Sequence, residues 1–223
     1  MEWLKQNLDR LKTKTSSAEV LGLIEKNTGS LTLDDITTIS NHFAISVQQL
    51  LFRPVIESEQ KAKKIRFLIL DVDGVMTDGG MYFSENGDQL KKYNTKDGMA
   101  IMGLTKMGFY VGIISSGFKT EMVKSRADLL NIQHFYVGRD PKIEILKTWC
   151  EQLSISLEEV AIIGDDINDL EVMKAVGLAV CPNDAVPLVK EQADIVLFSK
   201  GGAGCVREFI DHYLLDQPIG KKE

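Results

Sequence analysis

Two aspartate-rich stretches hold most of the chemistry this sequence can offer. Asp71-Val72-Asp73-Gly74-Val75-Met76-Thr77-Asp78 follows the apolar run Ile65–Leu70, and Asp165-Asp166-Ile167-Asn168-Asp169 follows Val160–Ile163. Between them stand Ser115-Ser116-Gly117, after the apolar run Phe109–Ile114, and Lys142, ahead of a helical stretch. Carboxylates at Asp71 and Asp165 suit a hard cation such as Mg2+, whose octahedral shell also takes waters and phosphate oxygens. Where a metal and Lys142 neutralise charge, a carboxylate can attack a phosphoryl group and become an aspartyl-phosphate. Asp73, two residues on, is placed to protonate a leaving oxygen and then activate water. Ser115 or Ser116, with backbone N–H groups beside Gly117, can hold phosphoryl oxygens. Each element alone has a plainer use: an acidic turn, a Ser-Ser-Gly turn, a surface lysine, a helix cap at Asp165-Asp166. Their order along the chain is what points to one site.

The elements around them must supply that order. Ile65–Leu70, Phe109–Ile114, His134–Val137, Val160–Ile163, Leu178–Val180 and Ile195–Leu197 are short apolar runs, the mark of strands buried on both faces. Helical stretches are predicted near 97–107, 118–130, 141–152, 166–175, 184–190 and 202–214. This alternation predicts an α/β fold, a Rossmann-like parallel sheet with helices on both faces, with ligands at the carboxyl ends of the strands. One insert, GGMYFSENGDQLKKY with Asn86-Gly87, reads as a β-hairpin directly after the first strand.

Residues 1–56 read as a small segment of three or four short helices, with Thr32, Asp34 and Asp35 marking one helix start. The pattern stops at Arg53, so 57–64 reads as a linker, 65–215 as the α/β domain and 216–223 as a tail. The chain has 223 residues, 44% hydrophobic and 26% charged, ordinary values that exclude disordered and collagenous classes. Three separated cysteines, Cys150, Cys181 and Cys205, argue against a disulfide framework or zinc site and suit a reducing cytoplasm. No uncharged apolar run is long enough for a membrane helix, and the N-terminus does not read as a secretory signal. The net charge of −6 falls entirely after residue 56, and an acidic body discourages nonspecific nucleic-acid binding.

DVDGVMTD, the Ser/Gly end of the second strand, the lone Lys142 and GDDINDL resemble the four motifs of the haloacid dehalogenase-like phosphohydrolases, over roughly residues 64–215. The resemblance implies Asp71 as nucleophile and Asp73 as general acid/base whose backbone carbonyl also meets Mg2+. It further implies Ser115 as phosphate-binding hydroxyl, with Ser116 the alternative one residue on, Lys142 as neutralising amine and Asp165 as the third metal ligand. Asp166 and Asp169 would support metal and lysine. The hairpin, KYNTKDGMAI, RDPKIEIL and GGAGCVREFIDHYL are similar to the capless 3-deoxy-D-manno-octulosonate 8-phosphate phosphatases and their relatives acting on nine-carbon 2-keto acid 9-phosphates. Such members are typically homotetramers whose hairpins pack together and whose neighbouring subunits cover the site. On that pattern Gly201, Gly202 and Gly204 belong to a flexible tail entering a neighbour's site; alternatively they are a loop leading into a helix. The octulosonate enzymes carry Arg after the second-motif Gly and the nonulosonate ones Glu; here Phe118 and then Lys119 stand there, which leaves the sugar open. Arg126 is a candidate carboxylate binder or else a helix-surface arginine, and Arg207 is a lesser candidate of the same kind.

IEKNTGSLTLDDITTISNHFAISVQQLL resembles the latter half of a lambda-repressor-like helix-turn-helix domain. The spacing is too short for the usual two-helix reader and the segment carries no basic stripe, so a degenerate remnant used for packing or assembly is expected, with His42 on a helix surface or in the core. The sequence thus predicts a Mg2+-dependent phosphatase of a phosphorylated 2-keto-3-deoxy sugar acid. A nine-carbon, sialic-type 9-phosphate phosphatase is the alternative within the class, and a DNA-binding regulator with a sugar-phosphate-sensing body is the alternative outside it.

Overall fold

The computed structural model describes residues 2–86, 89–117 and 119–215. Gly87 of the expected hairpin turn, Phe118 and the expected tail at 216–223 lie outside these residues.

The chain opens with α1 (Glu2–Lys12), α2 (Ala18–Ile24), α3 (Leu33–Phe43), α4 (Val47–Phe52) and α5 (Val55–Ala62). The starts of α2, α3 and α4 follow from short polar side chains that satisfy free N–H groups at a helix N-terminus. Ser17 accepts from the Val20 N–H, Ser46 from the Gln49 N–H, and Thr32 forms a reciprocal capping box with Asp35. Leu4, Leu8, Leu11, Val20, Ile24, Ile39 and Leu50 make a core of their own. The linker expected at 57–64 is instead occupied for most of its length by α5. Its polar composition hid a narrow buried stripe of Val55, Ser58 and Ala62 at helical spacing, and Pro54 sits at the helix start, where a missing N–H costs nothing.

The α/β part follows, with β1 (Phe67–Leu70), the hairpin strands β2 (Tyr82–Phe83) and β3 (Gln89–Leu90), α6 (Thr95–Lys106), β4 (Tyr110–Ser115), α7 (Thr120–Leu129), β5 (His134–Val137), α8 (Lys142–Leu153), β6 (Val160–Ile163), α9 (Leu170–Ala175), β7 (Leu178–Cys181), α10 (Pro187–Gln192), β8 (Ile195–Val196) and α11 (Cys205–Phe209). Six strands form one parallel sheet in the order β5-β4-β1-β6-β7-β8. Alternate residues of β1 serve opposite faces: Leu68 and Leu70 join the core under α6, α7 and α11, and Phe67 and Ile69 join the one under α8, α9 and α10. The strand order reverses beside β1, so the crevice between loops opens at the carboxyl ends of β1, β4 and β6. Asp97 of α6, buried, accepts the Arg207 N–H at the start of α11 (2.7 Å) and so ties the last helix to the first of the α/β part.

The N-terminal helices close the sheet's β8 edge. The Gln49 side chain accepts from the Val196 N–H (2.9 Å) and donates to the Asp194 C=O (3.4 Å), while the Ser46 hydroxyl donates to the Val196 C=O (2.7 Å). One carboxamide thus meets the N–H and C=O that flank Ile195, the pattern a further parallel strand would use. An unpaired edge is a template for aggregation, and here it is covered. Gln49→Leu, which keeps the volume and orphans both backbone groups, should lower the urea-unfolding free energy by about 2 kcal/mol. The exposed control Gln6→Leu should stay within ~0.5 kcal/mol of wild type, and equal values for the two would refute the capping role.

Candidate active site

β1 and β6 pair in register, Leu70 opposite Ile163, and each runs out into an aspartate loop. Asp71 follows β1 directly, and Asp165 follows β6 after Gly164. Beyond Asp71 the chain makes a wide turn over Val72–Met76 in which Gly74 takes φ +89°. A Cβ there would stand 1.9 Å from Asp165 Oδ2, so only glycine lets the first loop lie on the second.

Lys142, at the start of α8, reaches between the loops. Its ammonium donates to Asp71 Oδ1 and to Asp169 Oδ1, both at 2.6 Å, and the three side chains are 5%, 7% and 0% exposed. Asp169 spends its other oxygen on the Asp165 N–H (3.0 Å) and the Asp166 N–H (3.4 Å). It is a supporting residue that fixes both the lysine and the loop of Asp165. Asp166 is exposed at the rim, where its side chain caps the Ile167 N–H (2.7 Å); it does not touch Lys142.

Carboxylate oxygens of Asp71, Asp165 and Asp169 lie within 4.8 Å of one another, and Asp165 Oδ1 is buried with no hydrogen-bond partner among the described residues. Burial first, and then the charge of Asp169, push Asp71 up to about 7 against the pull of Lys142. Burial, then the charges of Asp71, Asp169 and Asp166, push Asp165 up to about 8. Burial works against the charge on Lys142, but the two carboxylates outweigh it and its pKa is raised, so it remains an ammonium. Acidic oxygens crowded beyond what one lysine can neutralise, one of them orphaned, fit a hard divalent cation.

The site residues open into a cavity of about 240 Å3 whose walls also include Asp73, Lys91, Ser115, Ser116, Gly117 and Lys119. Ser115 ends β4, is buried, and accepts the Gly117 N–H on its hydroxyl oxygen (3.2 Å), which leaves its O–H to donate elsewhere. Ser116 Oγ is engaged by the Asn168 amide across the opening (3.1 Å). Lys119 is exposed at the mouth.

Three other candidate groups do not line this cavity. Arg126 does not line the cavity: its guanidinium lies 4.9 Å over the Tyr93 ring and donates to the Asn94 C=O, so it braces the segment between β3 and α6. Arg207 is bonded to Asp211 one turn along its own helical segment. Gly201 and Gly202 are packed against this chain's own Asp71–Asp78 loop, where added Cβ atoms would stand 1.9 Å from the Gly74 oxygen and 2.4 Å from the Asp78 nitrogen. With Gly204 they form the turn into α11, the alternative the sequence left open, because the loop approaches too closely for any side chain.

Lys91 was missed. It is bonded to the Asp73 carboxylate although its side chain is only 6% exposed. The signal was a charged residue directly after a hairpin strand, where solvation is the default reading.

Residues 138–209 match the family model of haloacid dehalogenase-like hydrolases. The chain is 44% identical over 157 residues to the 3-deoxy-D-manno-octulosonate 8-phosphate phosphatase of Salmonella typhi, spanning 70% of this chain and 83% of that one. It belongs to the haloacid dehalogenase-like octulosonate 8-phosphate phosphatase family. The crystal structure of the Yersinia pestis phosphatase of that name covers 72% of this chain and 86% of its own at 41% identity and TM-score 0.69. The structure of the 3-deoxy-D-manno-octulosonate 8-phosphate phosphatase from Moraxella catarrhalis, in complex with a magnesium ion, a phosphate ion and a KDO molecule, aligns at TM-score 0.70 and 31% identity over 73% of this chain and 93% of that one. The family's parallel sheet is the one built here around β1 and β6.

Without divalent ions, Asp165→Asn should melt above wild type, since it removes one of the mutually repelling acids. Millimolar Mg2+ should raise the wild-type Tm, by the equivalent of about 2.7 kcal/mol at a hundred times Kd, and leave the variant's nearly unchanged. Equal Mg2+ shifts in both proteins would remove Asp165 from the metal site.

Proposed function

We propose that this protein is a Mg2+-dependent phosphatase that hydrolyses 3-deoxy-D-manno-octulosonate 8-phosphate through an aspartyl-phosphate. The observation that carries the reading is the buried Lys142 bridging Asp71 and Asp169 beside the orphaned Asp165 oxygen, in a chain so similar to enzymes of that name. Asp71, Asp165 and the backbone carbonyl of Asp73 would hold the ion, which when bound offsets the negative charge of an incoming phosphate. Asp71 supplies the attacking oxygen, and the ammonium of Lys142 beside it favours the charged form that attacks. As its bond to phosphorus forms, the ester P–O bond breaks, and the sugar oxygen takes its electron pair and a proton from Asp73. In the second half a water gives a proton to Asp73 and its oxygen attacks phosphorus, which returns Asp71 as a carboxylate and releases phosphate. Ser115 donates its free O–H to a phosphoryl oxygen, assisted by backbone N–H groups of the Ser116-Gly117 turn and by Lys119 at the mouth.

The likeness to octulosonate enzymes favours the eight-carbon ester over a nine-carbon one. The site asks for no nucleic acid, and the N-terminal segment carries no basic stripe of the kind a DNA reader needs. A homotetramer with the site shared between subunits is supported by the hairpin, whose Tyr82, Phe83 and Leu90 are 67%, 63% and 68% exposed on strands of two residues, too little to stand alone in water. A cytoplasmic setting is supported by three free, buried cysteines. Among the described residues no helix is long and apolar enough to cross a membrane.

Phosphate release with Mg2+ should be fastest from 3-deoxy-D-manno-octulosonate 8-phosphate when it is compared with N-acetylneuraminate 9-phosphate and a hexose phosphate. Asp71→Asn should cut turnover by more than ~10³-fold with the circular dichroism spectrum unchanged. A preference for the nine-carbon ester, or an active Asp71→Asn protein, would overturn the substrate or the mechanism respectively.

A further inference from the structure

Asp73 must present its carboxyl to the leaving oxygen, yet it sits at the mouth of the cavity with its side chain 34% exposed. It shares the cavity wall with Asp71, Asp165 and Asp166, acids that offer it no counter-ion. Among the described residues the group bonded to Asp73 is the ammonium of Lys91, a residue of the segment that links β3 to α6. That segment is tied down on both sides of the contact. Lys92 pairs with Asp78 at the far end of the Asp71–Asp78 loop, and Asn94 donates to the Gly202 C=O (3.0 Å) while capping the Lys96 N–H at the start of α6 (2.8 Å). The Tyr93 ring is packed under Arg126. Lys91 therefore reaches Asp73 from an anchored base, and its buried stem leaves it little freedom to follow a wandering partner.

We infer that Lys91 is a positioning residue for the general acid/base: its ammonium holds the Asp73 side chain in the conformation that faces the leaving oxygen. The inference rests on the role of Asp73 in the proposed mechanism. Lys91 keeps its own protons throughout; the proton that reaches the sugar oxygen comes from Asp73, and the one lost by water returns there. Because Lys91 directly follows β3, the hairpin becomes part of the catalytic apparatus, and whatever packs on the hairpin also bears on how firmly Asp73 is held.

Leaving groups separate this role from simple phosphate binding. An alkyl ester needs its departing oxygen protonated, whereas p-nitrophenol leaves readily as an anion. With the Mg2+-loaded full chain, Lys91→Met should lower kcat on an alkyl phosphate by about 100-fold, within the usual range for general acid catalysis. The alkyl ester is the octulosonate 8-phosphate, or a hexose 6-phosphate should the wild type refuse the first, so a wrong natural substrate does not undo the comparison. On p-nitrophenyl phosphate the first-step burst should fall less than about 5-fold, and Lys91→Arg should recover much of the alkyl activity. In an Asp73→Asn background Lys91→Met should add little, since both changes remove one function. Equal losses on both esters, or losses that multiply with Asp73→Asn, would make Lys91 a phosphate-binding cation and overturn the inference. Undiminished alkyl activity in Lys91→Met would overturn it as well. A melting curve superimposable on wild type guards against misfolding, and Lys91→Gln serves as the second variant where Lys91→Met melts early.

Discussion

A single buried ammonium decides how the rest of this molecule is arranged. Lys142 lies between Asp71 and Asp169 with almost no access to water, and removing one partner from such a group leaves an uncompensated charge that costs on the order of 3–5 kcal/mol. The two carboxylates belong to loops far apart in sequence, so the pair is satisfied only when β1 and β6 are neighbours in one register and α8 begins at the height of their ends. The parallel sheet supplies that geometry, and the two apolar cores hold its helices in place. Site and fold are therefore coupled through one interaction.

The same cluster is over-supplied with negative charge. Lys142 answers Asp71 and Asp169, while Asp165 is left with a buried oxygen that nothing among the described residues satisfies. A structure tolerates such a group where something else completes it, and a divalent cation would do so. Gly74 has a matching meaning, since a methyl group there would strike the Asp165 carboxylate and drive the two loops apart. Asp169 shows the division of labour among the acids: both its oxygens are committed to the lysine and to backbone N–H groups, so it organises the centre without being free to take part in it.

Most of this was legible because the α/β part obeys local rules. The apolar runs match the strands to within about two residues, and strand ends in a parallel sheet gather at one edge, so Asp71, Ser115, Lys142 and Asp165 could be grouped from their order alone. What was illegible depended on contacts between distant segments. α5 looked like a linker because its buried stripe is narrow and includes a serine, and helices are recognised by apolar faces. Arg126 had a plausible anionic ligand to bind, but the Tyr93 ring and the Asn94 carbonyl were nearer. Glycines in a row suggested mobility at 201–204, whereas two of them are there because another loop passes within van der Waals distance. Lys91 looked solvated, and only the folding of the hairpin over the site turned it inward.

The N-terminal helices follow the same logic at the opposite side of the sheet. A parallel sheet with β8 at its edge exposes an N–H and a C=O beside Ile195, and the Gln49 amide meets both as a neighbouring strand would. Arg53 adds donors to the carbonyls of Lys190 and Glu191 at the end of α10, and Lys61 pairs with Asp194, whose other oxygen takes the Ala179 N–H. Apart from the Lys61–Asp194 pair, these contacts attach the helices through backbone groups that any sequence would present at that edge, so the attachment demands little of the α/β part. They lie at β8, two strands away from β6 and its aspartates, which is why the N-terminal helical unit can be joined to the α/β body without disturbing Lys142 and its partners. The price is borne by the module: with Gln49 and Ser46 buried against the sheet, the face of α4 that carries them is no longer available to anything else.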